Sequence, residues 1–405
     1  MKIAIITAGR LPVPSTKGGA VETKIDYILA YNATHHLHDI TTYSICPDKN
    51  HAFVESTPEN HYYHINNKSL LFRLGQRIYK FFNKRPYYDS YIEYFLFLCL
   101  RHIKHRNYDI LITTNRPGYT EKISQTTNTP IILQLNNDYL NPQVKDAYRI
   151  KELCAGIITC SHYINNLASS VSCDKEVPVI TVHNGIDIAR FVNAHPKNRS
   201  ELGINDDDFV IVFSGRIIRE KGVLELIKAI KSISNIINIK LLIIGASFYG
   251  KDNYNSPYMN ELINESEPIK DHVIFTGYID YNEIPAYLKV ANIAVVPSVW
   301  DEPFGLTVLE AMAAGLALIT TKGGGIPEIC KETAILIERN NIIKNIANSI
   351  SFLYNNPKEA ERIGKISQER SWLFDKDIFS RTYLEAVENI VLHNKSTKEK
   401  SQFKQ

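Results

Sequence analysis

Short runs of aliphatic and β-branched residues alternate along the chain with stretches of helical period. "KIAIITA" and "ITTYSI" read as strands, and "AVETKIDYILAYNAT" between them repeats its apolar positions every three or four residues, as a helix does. "YDILITTN", "TPIILQL", "AGIITCS" and "PVITVHNG" extend the series, with helical stretches between them. Continuous apolar strands separated by helices indicate a parallel sheet covered on both faces. The pattern restarts after "HNGIDIARF", with "DFVIVFSG", "IKLLIIGA", "HVIFTGYI", "ANIAVVPS", "LALITT" and "TAILIE" as further strands. Two successive βα arrays are thus predicted in one chain, joined near 187–196. "SWLFDKDIFSRTYLEAVENIVLH" is a helical pattern with no strand after it, and "NKSTKEKSQFKQ" reads as a frayed polar tail. The expected division is 1–185, 186–370, a helix over 371–392 and a tail over 393–405. Ligands of such sheets lie at the carboxyl ends of the strands, and two sheets facing each other would leave a cleft as the natural site.

Composition narrows the class. A chain of 405 residues exceeds one ordinary core, and 44% hydrophobic with 22% charged residues is the balance of a soluble globular protein. No apolar run approaches the roughly 20 residues that span a bilayer. "MKIAIITAGR" begins a strand at once, without a signal peptide's long apolar region, so a cytoplasmic chain is expected. The six cysteines (46, 99, 154, 160, 173 and 330) are scattered and read as buried free thiols; Cys154 and Cys160 lack zinc-site spacing, and His162 does not complete one. The net charge of +3 is uneven, with 20 Lys/Arg against 14 Asp/Glu in 1–175 and 26 against 29 afterwards. The excess is densest in 69–106, where Arg73, Arg77, Lys80, Lys84, Arg85, Arg101, Lys104 and Arg106 interleave with aromatic and aliphatic residues. That mixture suits an anionic membrane surface or an acidic ligand; two amphipathic helices with solvated outer faces are the plainer account.

The chemistry concentrates in "VWDEPFGLTVLEAMAAG". Pro303 disfavours helix at Glu302, and Gly305 permits close backbone approach, so a helix is expected to start near 305–307. Its first free amides suit phosphate. Glu302 lies before that helix and Glu310 inside it, so the carboxylates flank the phosphate position, each able to accept hydrogen bonds from a vicinal diol. "FSGRIIREKGV" supplies Gly215, Arg216 and Lys221 in one loop at a strand's carboxyl end, a bidentate fork and a point charge fit for a diphosphate.

"SGRIIREKGV", "FTGYI", "VPSVWDEPFGLTVLEAMAAGLALITTKGGGIPEI" and "VHNGID" together resemble the retaining glycosyltransferases of family 4, which have the GT-B fold of two Rossmann-like domains. The likeness runs through nearly all of 180–330 and includes the E-x7-E spacing of Glu302 and Glu310. It implies that Arg216 and Lys221 neutralise a diphosphate leaving group, Glu310 holds ribose hydroxyls and Glu302 contacts the transferred sugar. Backbone amides around Phe304, Gly305, Leu306 and Thr307 would bind phosphate or hydroxyls, and the base would lie near Gly277 and Tyr278. "STKGGAVE" looks like the family's glycine loop, with Gly18 and Gly19 approaching the phosphates or acceptor. The first domain would take the acceptor, and the last helix, with Trp372, would cross back to it.

One departure stands out. Many relatives carry a histidine after the strand equivalent to "TPIILQL", whereas this chain reads "QLNNDYL", which leaves Asn136, Asn137 or Asp138 in its place. Asparagine donates a hydrogen bond but takes no proton. Such relatives are thought to rely on front-side attack, with a leaving-group oxygen beside the acceptor hydroxyl. Arg216 and Lys221 supply positive charge, so no metal is required. "NDDDF" reads as an acidic turn, His35, His36 and His38 as a solvated helix end, and "KGGGIPE" as a helix N-terminus facing the cleft. No nucleic-acid module is recognisable.

The resemblance therefore implies a retaining, metal-independent hexosyltransferase using a nucleotide diphosphate sugar, with UDP expected as the nucleotide and GDP as the alternative. The acceptor would be a hydroxyl of a glycan or polyprenyl-linked saccharide in capsule, lipopolysaccharide or exopolysaccharide assembly. The protein would then sit in the cytoplasm, peripheral on the membrane. The competing readings are a soluble acceptor such as a sugar phosphate, and a catalytically silent glycan- or nucleotide-binding subunit.

Overall fold

Successive residues of a strand point to opposite faces, so the uninterrupted aliphatic runs must be covered on both sides. The computed structural model describes residues 1–16, 19–47, 56–83, 87–236, 238–246 and 256–402. It divides the chain into two units, Met1–Gly185 with Lys376–Gln405, and Ile186–Asp375. In the first unit β1 (Lys2–Ile6), β2 (Asp39–Ile45), β3 (Asn60–Ile65), β4 (Ile110–Thr114), β5 (Ile131–Leu135), β6 (Gly156–Thr159) and β7 (Val179–Thr181) form one sheet. Its order is β3-β2-β1-β4-β5-β6-β7, and every neighbouring pair is parallel. The second unit's sheet contains β8 (Phe209–Ser214), β9 (Ile239–Ile244), β10 (Val273–Gly277), β11 (Ile293–Val296), β12 (Ala317–Thr321) and β13 (Ile335–Ile337). Its order is β10-β9-β8-β11-β12-β13, again all parallel.

The period-2 rule is visible in β1. Ile3 and Ile5 pack with Ile25, Ile28 and Leu29 of helix Ala20–His35, while Ala4 and Ile6 face Phe95 and Leu96 of helix Ser90–Ile103. The first of these faces is completed from far along the chain: Phe379, Tyr383, Val387 and Ile390 of helix Lys376–Gln402 join the same cluster. Gly156 of β6 is where that helix comes closest, since a Cβ there would stand 2.7 Å from Ile390 Cδ1.

Three expectations need correcting, and one strand has no counterpart among those the sequence predicts. β3 carries no aliphatic run; "NHYYHI" is an edge strand with only its two ends buried, and tyrosines hold it against β2 through the Tyr43↔Tyr63 register. The last helix does not fray at 393 but continues through Gln402, in keeping with the helix-forming Lys, Glu and Gln of "KSTKEKSQ". His38 is buried rather than solvated, with Nε2 3.0 Å from Glu388 Oε1. Cys46 and Cys173 are half-buried, while the other four thiols are buried. In 69–106 the basic–aromatic segment separates into helices Leu70–Phe82 and Ser90–Ile103, and the second is a core element that buries Ile92, Phe95, Leu96 and Cys99. Among the described residues no helix is long and apolar enough to cross a membrane.

Because the return helix fills the first unit's core, Ile390→Ala is expected to cost about 2–5 kcal/mol. Hydrogen exchange would show the loss as faster opening of β1 and helix Ala20–His35. Unchanged protection there would mean the helix contributes no packing.

Candidate active site

The second sheet grows outward in both directions from the β8/β11 pair, so the loops leaving these two strands diverge at their carboxyl ends and open a crevice. Both motif loops arise there. After β8 come Gly215 and Arg216, then a tight turn at Arg219–Lys221. Gly222 ends that turn at φ 71°, and a Cβ on it would lie 2.1 Å from the Pro297 carbonyl oxygen. Only a glycine lets the loop after β8 rest on the loop after β11. A Cβ on Gly215 would lie 3.7 Å from Thr307 Cγ2, so the strand end also meets the start of helix Leu306–Ala313.

Lys221 and Glu302 are brought together. Lys221 Nζ is 2.6 Å from Glu302 Oε1, and the Ser298 hydroxyl donates to the same oxygen at 2.6 Å. Both side chains are largely shielded from solvent, 12% and 6% exposed. Removing either member of such a pair leaves a buried charge unmatched, so each holds the other in place. "KGGGIPE" serves as a brace: the Gly325 amide donates to the Glu302 carbonyl at 2.8 Å, and Gly324, at φ 57°, packs where a Cβ would meet that carbonyl oxygen at 2.0 Å. The five-residue helix Ile326–Cys330 follows.

Glu310 is buried inside its helix. Burial pushes its carboxyl up to about 7, opposed by a hydrogen bond from the Tyr281 side chain and by the charges of Arg190 and Lys221. The Arg190 guanidinium lies 4.5 Å from the centre of the Tyr281 ring and donates to the Tyr281 carbonyl. Arg216 is exposed and makes no side-chain hydrogen bond or ion pair among the described residues. Gly305 precedes the helix at φ 108° with no side-chain cap, which leaves the first-turn amides of Leu306 and Thr307 without intrahelical partners. Phe304 is buried against Phe374, ring centres 6.0 Å apart. Gly277 ends β10 at φ 72° and accepts from the Gly245 amide at 3.0 Å, with the partly exposed Tyr278 following.

In the first unit Gly18 lies outside the described residues. Gly19 precedes helix Ala20–His35, where a Cβ would meet the Glu22 carboxylate at 2.3 Å. Asn136, just past β5, receives a hydrogen bond from the buried Lys24, which also donates to Asn184 Oδ1 at 2.5 Å. Asn136 Nδ2 is buried without a partner among the described residues. Burial pulls Lys24 down to about 8, with Cys160 and Glu22 opposing, and pushes Asp26 up to about 7. Asp138 is exposed, and its carbonyl accepts from Asn141 Nδ2 at 2.8 Å. Of the three candidates for the family histidine's place, Asn136 is built into a buried polar cluster and Asp138 into a surface turn, with the half-buried Asn137 between them. "NDDDF" is also a turn, closed by the Asn205 amide donating to Asp208 Oδ2 at 2.7 Å.

Lys24, Arg190, Tyr281 and Ser298 were not legible from sequence. Lys24, Arg190 and Tyr281 each lie far in the chain from the group they touch, and Ser298, four residues before Glu302, sits in no spacing that marks it.

Residues 194–370 match the family model "Glycosyl transferases group 1". Spore coat protein SA of Bacillus subtilis is 28% identical over 388 residues, 92% of this chain and 94% of that protein. The lipopolysaccharide 1,2-N-acetylglucosaminetransferase of Salmonella typhimurium is 31% identical over 225 residues, 54% of this chain and 56% of that one. Among solved structures, sucrose-phosphate synthase from Thermosynechococcus elongatus superposes with a TM-score of 0.73 at 22% identity, covering 96% of this chain and 98% of its own. Anabaena Alr3699/HepE in complex with UDP and glucose gives 0.72 at 18% identity, covering 96% and 99%. At such identities these structures speak for the fold, two parallel-sheet α/β units of GT-B type. Residues 194–370 are thus similar to the glycosyl transferases group 1 model, in a chain of GT-B fold.

Proposed function

We propose that the protein is a retaining, metal-independent glycosyltransferase. It moves a hexose-type sugar from a nucleotide diphosphate sugar to a hydroxyl of a glycan or lipid-linked saccharide in cell-surface polysaccharide assembly. The reading rests on one convergence: a cationic loop, uncapped helix amides and two buried carboxylates meet at the β8/β11 crevice. The matched relatives include a lipopolysaccharide sugar transferase, and UDP occupies one of the similar folds, which favours UDP over GDP.

In this mechanism the diphosphate lies against the Leu306 and Thr307 amides, with Arg216 closing from the exposed side. The bond from the sugar's anomeric carbon to the diphosphate oxygen breaks, and its electron pair stays on the diphosphate. The acceptor oxygen bonds to the same face of that carbon and passes its proton to the departing diphosphate. Lys221 leaves its neutral pairing with Glu302 as charge grows on the leaving group, which frees Glu302 to accept from sugar hydroxyls. Fixed cations matter most at this moment, when the charge is largest and water is excluded. Glu310, ionised, accepts the ribose diol. The acceptor belongs to the first unit, where Asn136 takes the place of the family histidine as a donor that carries no proton.

Lys221→Ala is expected to lower donor turnover about 10²–10³-fold, as loss of a preorganised charge-stabilising group does. Lys221→Ala/Glu302→Gln removes the stranded carboxylate and should recover stability without recovering turnover; a double variant as active as wild type would sink the clamp. Chelation of divalent ions should leave turnover unchanged. A wild-type protein that binds UDP-glucose and GDP-mannose but cleaves neither, with acceptors supplied, would favour the silent-subunit reading.

The pH dependence follows from Glu310. With its carboxyl raised to about 7, the ionised fraction grows between pH 6 and 8, so UDP-glucose affinity should rise over that window by up to about tenfold. The donor's diphosphate gains no proton there. Calorimetric titration of Glu310→Gln should give a flat profile; a rise that persists would assign the titration elsewhere.

A further inference from the structure

Helix Leu70–Phe82 carries the four most exposed large apolar side chains among the described residues. Leu70 and Leu71 are each 81% exposed, Phe82 is 77% and Phe81 72%, and Leu74 and Ile78 are more than half exposed. At 3.6 residues per turn these six side chains occupy about a third of the helix circumference, forming a single stripe about 20 Å long. Arg73, Arg77 and Lys80 line one border of the stripe. The opposite border is the docked side: Phe72 is buried, and Tyr79 packs on Tyr94 and Phe97 and receives a hydrogen bond from Lys122 at 2.9 Å. Gly75 allows this close seating, since a Cβ there would fall 2.0 Å from the Tyr94 hydroxyl. Ser69 caps the helix by accepting from the Phe72 amide at 3.1 Å. The helix is therefore fixed to the protein by one side and presents the other two outward.

We propose that this helix lies in the interface of an anionic phospholipid bilayer. The stripe would sink into the headgroup boundary, and the cationic row would face lipid phosphates, the arrangement of an interfacial amphipathic helix. Charge selects the occupant. Between Glu59 and Asp89 the sequence holds six Lys/Arg and no carboxylate. A second copy docked on the same stripe would bring two cationic rows together with nothing on either helix to neutralise them, whereas an anionic surface complements both rows. The helix belongs to the first unit and the β8/β11 crevice to the second, and the proposal does not rest on the transfer chemistry.

The test is co-sedimentation of the full chain with phosphatidylglycerol-containing and pure phosphatidylcholine vesicles at low and high salt. Binding to the anionic vesicles alone, weakened by salt, is expected. Leu71→Gln/Phe81→Gln and Arg73→Gln/Arg77→Gln should each reduce it at least tenfold. These side chains are already exposed or at the surface, so melting temperature and UDP-glucose binding should be unchanged, which separates loss of docking from loss of fold or donor site. The proposal is overturned if wild type ignores anionic vesicles, if it binds both vesicle types equally, or if analytical ultracentrifugation shows a dimer that the Leu71/Phe81 variant dissociates.

Discussion

A parallel sheet that grows in both directions from its first strand cannot cover its own midpoint: the chain leaves that strand to one side and later returns to the other. The two loops that part there keep backbone groups and side chains facing an open crevice, because no crossover helix lies above them. In the second unit the partition falls between β8 and β11. Lys221 and Glu302, more than eighty residues apart, become neighbours for this reason. The close contact of Gly222 with Pro297 fixes how near the two loops lie, and through it the reach of Lys221 to Glu302.

The buried Lys221–Glu302 pair shows how a site of strong charges can exist without its ligand. Each ion would be costly alone. Paired and bonded to Ser298, they keep a neutral resting arrangement in which neither is desolvated without a partner. Glu310 solves the same problem differently. Buried in an apolar helix and facing more distant cations, it keeps its proton to a higher pH. Two glutamates eight positions apart are thus buried by different means, one beside a lysine and a serine, the other inside an apolar helix.

What could be read from the chain was what repeats or stays local. Aliphatic strands announced themselves by run length, and the start of helix Leu306–Ala313 by a proline and a glycine. β3 escaped because its residues are tyrosine, histidine and asparagine, whose strand preference appears only once β2 lies beside them. The burial of His38 depends on Glu388, some 350 residues away, and that of Lys24 on Asn136 and Asn184. Polar residues buried through distant partners carry no local signature. The basic–aromatic segment was visible as composition, but only the seating of Gly75 on Tyr94 settles which residues of helix Leu70–Phe82 are hidden and which are left outside.

The return of helix Lys376–Gln402 to the first unit sets an order of events during synthesis. Ile186–Asp375 is continuous and holds its own core, so it can mature as soon as it leaves the ribosome. The first unit is made earlier, yet one face of its sheet waits for Phe379, Tyr383, Val387 and Ile390. The usual sequence, in which the amino-terminal domain finishes first, is inverted. The nascent protein must keep an uncovered aliphatic sheet out of trouble for nearly two hundred residues of elongation, a burden the finished protein no longer carries.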